Sequence, residues 1–383
     1  MELAPILQSQ IIQNRIREVG INPNYWYPVA WADQVLLGGI MSVIVWQQVI
    51  AIYRDQNSKI HALENVCPHK GVALHKGKVQ GDNLVCPYHG WQFNSDGKCI
   101  HIPYLPKGQK LPCAETKSYP TQEKYNIIWV FPGDKKLAKG IPIPDIPEYD
   151  NPDWLKIPIP ARFKAHFSIC NENTMDVFHG FLHKGLQGWF NPVLLKLSQN
   201  QYSVQAEYQV SYQGWITKFL GLSETRTKIT TRAISIRYEY PHYHSSLEGI
   251  SSIYLMRLPL GIMETQSFSL LFLKIGLPKW LLRPIKPQLS QVIWRFLFKK
   301  FLDQDVEMVE SEQRSYLANP ERRYVEINPA IIALQRVIVG QYEYFMQQSR
   351  KLLNHNHGKG EQSSVVAREI SSELTSESPQ LGE

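Results

Sequence analysis

The chain has 383 residues and is 43% hydrophobic, which exceeds one usual domain of about 100 to 200 residues and supplies material for more than one core. Its net charge is +7; residues 361–383 carry −4, leaving +11 on the rest, yet no nucleic-acid motif accompanies that basic character, so nucleic-acid binding is set aside. Five cysteines without framework spacing, an acidic Glu2 where a leader would be basic, and no run of roughly 18 apolar residues lead us to expect no disulfide scaffold, no cleaved leader and no membrane span. A reducing, cytoplasmic setting is expected, with peripheral membrane association as its variant.

Residues 1–22 read as a short helical lead-in, and 23–138 as a small antiparallel β-domain. Its runs Met41–Trp46 and Asn126–Val130 are β-patterned, and Gly38-Gly39, Gly81-Asp82-Asn83 and Asp96-Gly97 mark the turns. Two loops in this domain carry chemistry: Cys67-Pro68-His69, then sixteen residues, then Cys86-Pro87-Tyr88-His89. One Cys and one His per loop is the ligand set of a Rieske [2Fe-2S] cluster, in which two imidazoles replace two thiolates on one iron and raise its reduction potential. A zinc site of two Cys and two His competes, but such sites usually begin C-x(2-4)-C and end H-x(3-5)-H. Gly71 suits a tight turn, and Trp91, after Gly90, could shield a cluster from water. Cys99-Ile100-His101 imitates half of the pattern without a second half and reads as a plain loop.

Residues 139–160 contain Pro142, Pro144, Pro147, Pro152, Pro158 and Pro160 and read as an extended linker to a second domain at 161–352. Alternating segments at 201–210, 228–240 and 251–258 predict a second antiparallel sheet; helices are expected near 171–186, 288–316 and 329–352. On the first helix, His179 and His183 are four residues apart and share a face, with Asp176 three residues before. Two such histidines and a carboxylate from elsewhere make the facial triad of a non-haem Fe(II) oxygenase, with positions open for O2. Asp303, Asp305, Glu307 and Glu310 all lie on the later helix as candidates for that carboxylate. His242 and His244 share a strand face and read as core or solvated. Phe163, Phe167, Phe178, Phe181, Trp189 and Phe190 cluster near the His motif in sequence; they suit an apolar pocket for a cyclic substrate or ordinary core packing. Lys279–Phe301 interleaves aromatic and basic residues, as a core helix with snorkelling cations or as a membrane-surface helix. From residue 353 the chain is rich in Ser, Glu and Gln and is expected to be disordered.

The motifs C-P-H-K-G, C-P-Y-H-G-W, E-N-x-x-D-x-x-H and Gln304-Asp305 followed by Gln313 carry a resemblance over roughly residues 24–340. The chain resembles the Rieske non-haem iron oxygenases, in the group of pheophorbide a oxygenase, vanillate demethylase and saxitoxin-pathway oxygenases. The resemblance implies an α+β fold: an N-terminal all-β Rieske domain and a C-terminal helix-grip catalytic domain of antiparallel sheet with helices. It implies a [2Fe-2S] cluster on Cys67, His69, Cys86 and His89, and a mononuclear Fe(II) on His179, His183 and Asp305. It makes Asp176 the residue that hydrogen-bonds both a cluster histidine and an iron histidine across a subunit boundary of a homotrimer; Asn173, in the same motif, joins it as a candidate catalytic residue. The implied partners are a ferredoxin or NAD(P)H-dependent reductase, O2 and a small apolar organic substrate that is hydroxylated, demethylated or ring-opened. One departure stands out: the family usually places four residues between the iron histidines, and this chain has three. That shortening motivates a second reading, a Rieske electron-transfer or redox-sensing protein without a working mononuclear iron. A third is a binding or assembly protein with a structural cluster.

Overall fold

A computed structural model describes residues 15–183, 189–213, 229–247, 249–275, 279–322 and 324–357, with the side chains of 189, 279–283, 352–353 and 355–357 excepted. Most of the lead-in and the expected disordered segment beyond 357 lie outside these residues. Three small antiparallel sheets form the N-terminal part. The first joins β1 (Tyr27–Trp31), β11 (Ile127–Val130) and β10 (Thr121–Lys124). The second joins β2 (Ile40–Val45), β3 (Gln48–Arg54), β4 (Ile60–Glu64) and β9 (Ser118–Tyr119). The third joins β5 (Lys78–Gln80), β6 (Asn83–Val85), β7 (Gln92–Phe93) and β8 (Cys99–His101).

Strand alternation sorts successive residues of β3 into different cores. Ile50 and Ile52 join the main core with Trp129 and Ile127, while Ala51 and Tyr53 join a separate core containing Cys67, Leu74, Cys86, Trp91 and Phe93 at the domain's tip. The β2–β3 turn is built on Trp46 (φ 43°) and Gln47 (φ 68°), both left-handed without being glycine. Their amides donate to the Pro259 and Leu260 carbonyls, 2.8 Å each, so this strained turn is held by the seven-stranded sheet of the C-terminal part.

The sheet of the C-terminal part, which includes Pro259 and Leu260, has seven antiparallel strands in the order β12 (Trp154–Phe163), β18 (Glu264–Lys274), β17 (Ser251–Gly261), β16 (His242–Leu247), β15 (Thr230–Glu239), β14 (Ser203–Tyr212), β13 (Trp189–Gln199). The latter part of the expected linker is therefore strand: Pro158 and Pro160 sit on the edge strand β12, exposed, where a missing N–H costs no ladder bond. One face of the sheet packs Tyr208, Tyr254, Met256, Leu258 and Phe268 into the main core; the other lines a cavity described below.

Helix α1 spans Phe167–Met175, and the 3-10 turn Phe178–Phe181 follows it, in place of one helix over 171–186. Asp176 breaks the helix: its backbone is extended (φ −82°, ψ 109°) and its Oδ1 accepts the Phe178 amide at 2.8 Å, a local turn that competes with helix. Helix α2 (Lys279–Ile293), a π-helical turn (Trp294–Phe298) and α3 (Lys299–Ala318) form one path, beginning well before the expected residue 288. Pro284 and Pro287 lie inside α2, and side-chain bonds tie this helix to β12 and to the residues just before it: Lys286 Nζ donates to the Pro152 and Trp154 carbonyls, and Ser290 Oγ to that of Lys156. Helix α4 (Pro329–His357) buries Ile331, Leu334 and Ile338 in the main core.

Candidate metal centres and cavities

The two Cys/His loops sit side by side at the tip of the third sheet and are built alike. Cys67 N donates to the Val72 carbonyl (2.9 Å) and Gly71 N to that of Cys67 (2.8 Å); Cys86 N donates to the Trp91 carbonyl (2.8 Å) and Gly90 N to that of Cys86 (3.2 Å). Both turns close through left-handed glycines, Gly71 at φ 72° and Gly90 at φ 70°, a conformation that a side chain would strain. Cys67 and Cys86 are buried and not in a disulfide, and the His69 and His89 rings are 4.6 Å apart. Burial pushes the Cys67 thiol up to about 11, with neighbouring Cys86 adding to the rise. His69 lies below its usual value, through desolvation first and then nearby His89 and Lys70, so its imidazole is neutral and able to ligate. His69 Nδ1 and His89 Nδ1 are both buried without a hydrogen-bond partner. Unsatisfied ring nitrogens beside two buried thiols fit a cluster that takes two nitrogen and two sulfur ligands. Trp91 stacks on His69 at 4.6 Å, nearly parallel, and its Nε1 donates to the Tyr104 hydroxyl at 2.7 Å, which screens the loops from solvent.

The second centre forms where α1 and its following turn meet α3. His179, in the 3-10 turn, and His183, just beyond it, present ring nitrogens toward Asp305; the potential ligand atoms of all three lie within 4.8 Å of one another. His183 Nε2 is 3.1 Å and His179 Nε2 3.7 Å from Asp305 Oδ1. The three-residue spacing thus reaches its geometry through a broken helix rather than through one helix face. His183 is fully buried, stacks on Phe301 at 3.6 Å, and its Nδ1 lies 2.8 Å from Gln304 Oε1. With the proton on Nδ1, donated to Gln304, the Nε2 lone pair and Asp305 Oδ1 together suit a cation held between them. Burial lowers the pKa of His179, opposed by Asp305 and Asp176, which favours a neutral ligand-competent ring.

Of the other carboxylates on α3, Asp303 pairs with Lys299, Glu310 accepts the Lys164 amide, and Glu307 is exposed. Asn173 Nδ2 reaches Asp305 Oδ1 at 3.5 Å. Gln313 Oε1 accepts the amide of His166, the N-cap of α1, at 2.7 Å, which locks α1 against α3. Glu172 is held bidentately by Arg17 at 2.7 and 2.6 Å and also by Gln335. Gln304 stood in the Gln304-Asp305 motif without its role being read, and the orienting parts played by Arg17 and Gln335 leave no mark in residue spacing, because their partners are distant in sequence. His242 is buried and bonded to the Trp26 carbonyl, His244 is half-buried and bonded to the Ser252 hydroxyl, and Cys99, on β8 rather than in a loop, packs in the tip core.

Two cavities flank this centre. One, of about 290 Å³, lies between the seven-stranded sheet and the α2–α3 path; Asp305, His179, Ile253, Leu255, Trp294 and Phe298 are among its walls. The π-helical turn supplies Trp294 and Phe298 to it, a placement common for π-bulges at functional sites. Among the aromatic residues expected around a pocket, Phe163 lines it, Phe167 packs in the main core against Trp46, and Phe178 and Phe181 are exposed on the surface. Phe190 is half-buried on edge strand β13, and the Trp189 side chain lies outside the described residues. The second cavity, of about 390 Å³, approaches Asp176 and His179 from the other side, between α1, α3 and the segment with Tyr324 and Val325.

Residues 25–120 match the Rieske [2Fe-2S] domain family. The chain is 32% identical over 349 residues to a 4β-methylsterol monooxygenase of Methylococcus capsulatus, covering 88% of this chain and 92% of that protein. The chain belongs to the Rieske non-haem iron oxygenases. This oxygenase is also 31% identical to the vanillate O-demethylase oxygenase subunit of a Pseudomonas strain, over 41% of this chain and 43% of that one. Its fold matches dicamba monooxygenase at a TM-score of 0.69 with 20% identity, covering 84% of this chain and 98% of that chain. The enzyme is an O2-dependent oxidoreductase that carries a Rieske [2Fe-2S] cluster and a mononuclear non-haem iron, and it draws on an electron-transfer partner. The reading without a working second iron is not favoured: the chain spans nearly all of a monooxygenase relative, and the His179–His183–Asp305 group is assembled. No helix among the described residues is long and apolar enough to cross a membrane.

Proposed function

We propose that Cys67, His69, Cys86 and His89 hold the cluster, that His179, His183 and Asp305 hold the mononuclear iron, and that the enzyme oxidises an apolar cyclic molecule in the cavity between the sheet and α2–α3. The observation that carries this reading is the convergence of three ligand atoms within 4.8 Å on the wall of a mainly apolar cavity. When bound, the cluster supplies single electrons and the iron binds and activates O2 in its open positions. The chain's own residues do the rest. Gln304 holds His183 in one tautomer, Asn173 reaches Asp305, and the Trp294 and Phe298 side chains help to keep water from the reacting centre. Relatives named for a methylsterol and for vanillate support a ring-bearing substrate, with hydroxylation or demethylation as the outcome and ring opening as the variant.

Asp176 supports the subunit-crossing role. Its Oδ1 is used by the Phe178 amide and, at 3.4 Å, by Asn328, while it borders the second cavity beside His179. Around that cavity Val325 and Ile327 are 80% and 84% exposed, and at the Rieske tip Tyr88 and Tyr104 are 63% and 55% exposed. Apolar surface at both places suits docking of one subunit's tip on its neighbour's iron side, in a homotrimer. The basic body suits an acidic ferredoxin or the carrier domain of an NAD(P)H-dependent reductase. On the outer side of α2 and the π turn, exposed Val292 and Phe296 stand near Arg295 and Lys300, which supports peripheral contact with a membrane that stores a lipophilic substrate.

The test is metal content after anaerobic loading with Fe(II) and desalting. Wild type should hold about three irons per two labile sulfides, and His183→Ala about two. Two irons per chain in both proteins would reject the second centre.

A further inference from the structure

The inner side of β17 alternates Ser251, Ile253, Leu255 and Arg257 toward the cavity beside the iron site. Three of these suit an apolar or weakly polar wall; the fourth is a guanidinium that is only 3% exposed. Its Nη2 donates to Thr174 Oγ1 at 2.5 Å, and its plane lies 5.2 Å from the Phe163 ring. Its Nε and Nη1 are buried without any hydrogen-bond partner, and among the described residues no carboxylate forms an ion pair with it. Glu172 is already taken by Arg17 and Gln335, and Asp305 faces the two histidines. A buried guanidinium with two idle donors and no counter-charge is costly, and a fold keeps such a group where a ligand completes it. Beside it in the ladder Ser267 is its cross-strand partner, and the Ser267 and Ser269 hydroxyls, 2.9 Å apart, also face the cavity.

We infer that Arg257 is a specificity-determining residue that pairs with a carboxylate on an otherwise apolar, ring-bearing substrate, with Ser267 and Ser269 as neutral neighbours of that group. The inference rests on the cavity being the substrate site of the oxygenase. A carboxylate that takes one of these idle nitrogens together with the second N–H of Nη2 is held on two donors, which both neutralises the buried charge and fixes which ring carbon is turned to the iron. Binding of the neutral ester of the same acid forfeits the ion pair and leaves the guanidinium unsatisfied, so acid and ester are separated by far more than their difference in size.

The experiment measures affinity of the iron-loaded holoenzyme for benzoate, 1-naphthoate and 9-anthroate and for their methyl esters, by quenching of tryptophan fluorescence. It does so for wild type, Arg257→Lys and Arg257→Met, with iron and sulfide content determined on every sample. Wild type is expected to bind at least one acid about tenfold or more tighter than its ester. Arg257→Met should lose that preference while still binding the ester, and Arg257→Lys should keep part of it. Wild-type affinity equal for acid and ester, no binding of any acid, or an acid preference that survives in Arg257→Met would overturn the assignment. Because wild type alone gives the first comparison, a misfolded variant does not rescue the idea. Full iron content with no acid preference sinks this inference alone; absence of the mononuclear iron in wild type sinks the reading beneath it.

Discussion

Asp305 shows how much one side chain carries. It is the acidic group on α3 turned to both histidines, and it is 8% exposed, so its charge is balanced by whatever lies between it and their rings. Asp305→Asn keeps the shape and removes the charge. The expected result is at least about a tenfold loss of mononuclear iron affinity with the cluster's absorption and EPR spectra unchanged; loss of both metals together would mean that the substitution disturbs the whole fold. Two other buried imidazoles respond to pH. His166 is pushed down to about 3, by burial first and then by Arg17, and His242 to about 4 by burial. Both stay neutral in the fold, while in the unfolded chain they protonate as pH falls through 6.5. Their contribution is therefore whole above pH 6.5 and is lost progressively below it, about 2 kcal/mol each by pH 5. Denaturant midpoints at pH 7.5 and 5 should show His242→Gln losing about 2 kcal/mol less than wild type over that interval. An equal loss in the two proteins would assign the acid sensitivity elsewhere.

Among the elements, the β7–β8 turn was legible in advance because Asp96-Gly97 is a turn dipeptide, yet the reason only glycine serves there is tertiary. Gly97 has φ 86°, and a Cβ on it would lie 1.9 Å from the Thr116 carbonyl oxygen. Gly97→Ala should cost about 3 kcal/mol, read as a lowered denaturation midpoint with the mononuclear iron retained in the folded fraction. A change under about 0.5 kcal/mol would show that the turn relaxes freely. The helix expected over 171–186 illustrates the opposite case. Periodicity put His179 and His183 on one helical face, but the Asp176 side chain captures the Phe178 amide and ends α1, and the two rings meet at 5.3 Å through a 3-10 turn instead. The π-helical turn that brings Trp294 and Phe298 to the cavity has no sequence signature of its own, since one added residue per turn depends on what the helix packs against.

At the scale of the whole molecule, the Rieske tip keeps a core of its own, while the rest of the N-terminal part shares the main core with the seven-stranded sheet, tied by the Trp46–Gln47 turn on β17 and by Ile16, Trp129 and Phe268 in a common cluster. If electrons pass between subunits, two inactive variants should rescue each other. Cys86→Ser should lose the cluster and Asp305→Asn should lose most of the mononuclear iron; co-expressed in one oligomer they should recover a fraction of wild-type oxygen consumption coupled to product that is well above what either gives alone. No recovery in a proven mixed oligomer would place the whole electron path within one subunit.

Residue type and spacing alone pointed to the two loops proposed to hold the cluster, because a Rieske site is made of two short contiguous segments whose ligands need no distant neighbour. The same holds for the two β-rich parts and for the basic net charge. Residue type alone left four acids on one helix as candidates for the iron carboxylate and the family resemblance named Asp305; in the fold Asp305, rather than Asp303, Glu307 or Glu310, faces the histidines, since rotation of α3 against α1 is set by packing and by the Gln313–His166 bond. Sequence could not single out Arg257 in the run Ile253-Tyr254-Leu255-Met256-Arg257-Leu258 as a buried group without a counter-charge. That depends on which acids from other strands and helices come within reach, and only the tertiary structure decides it.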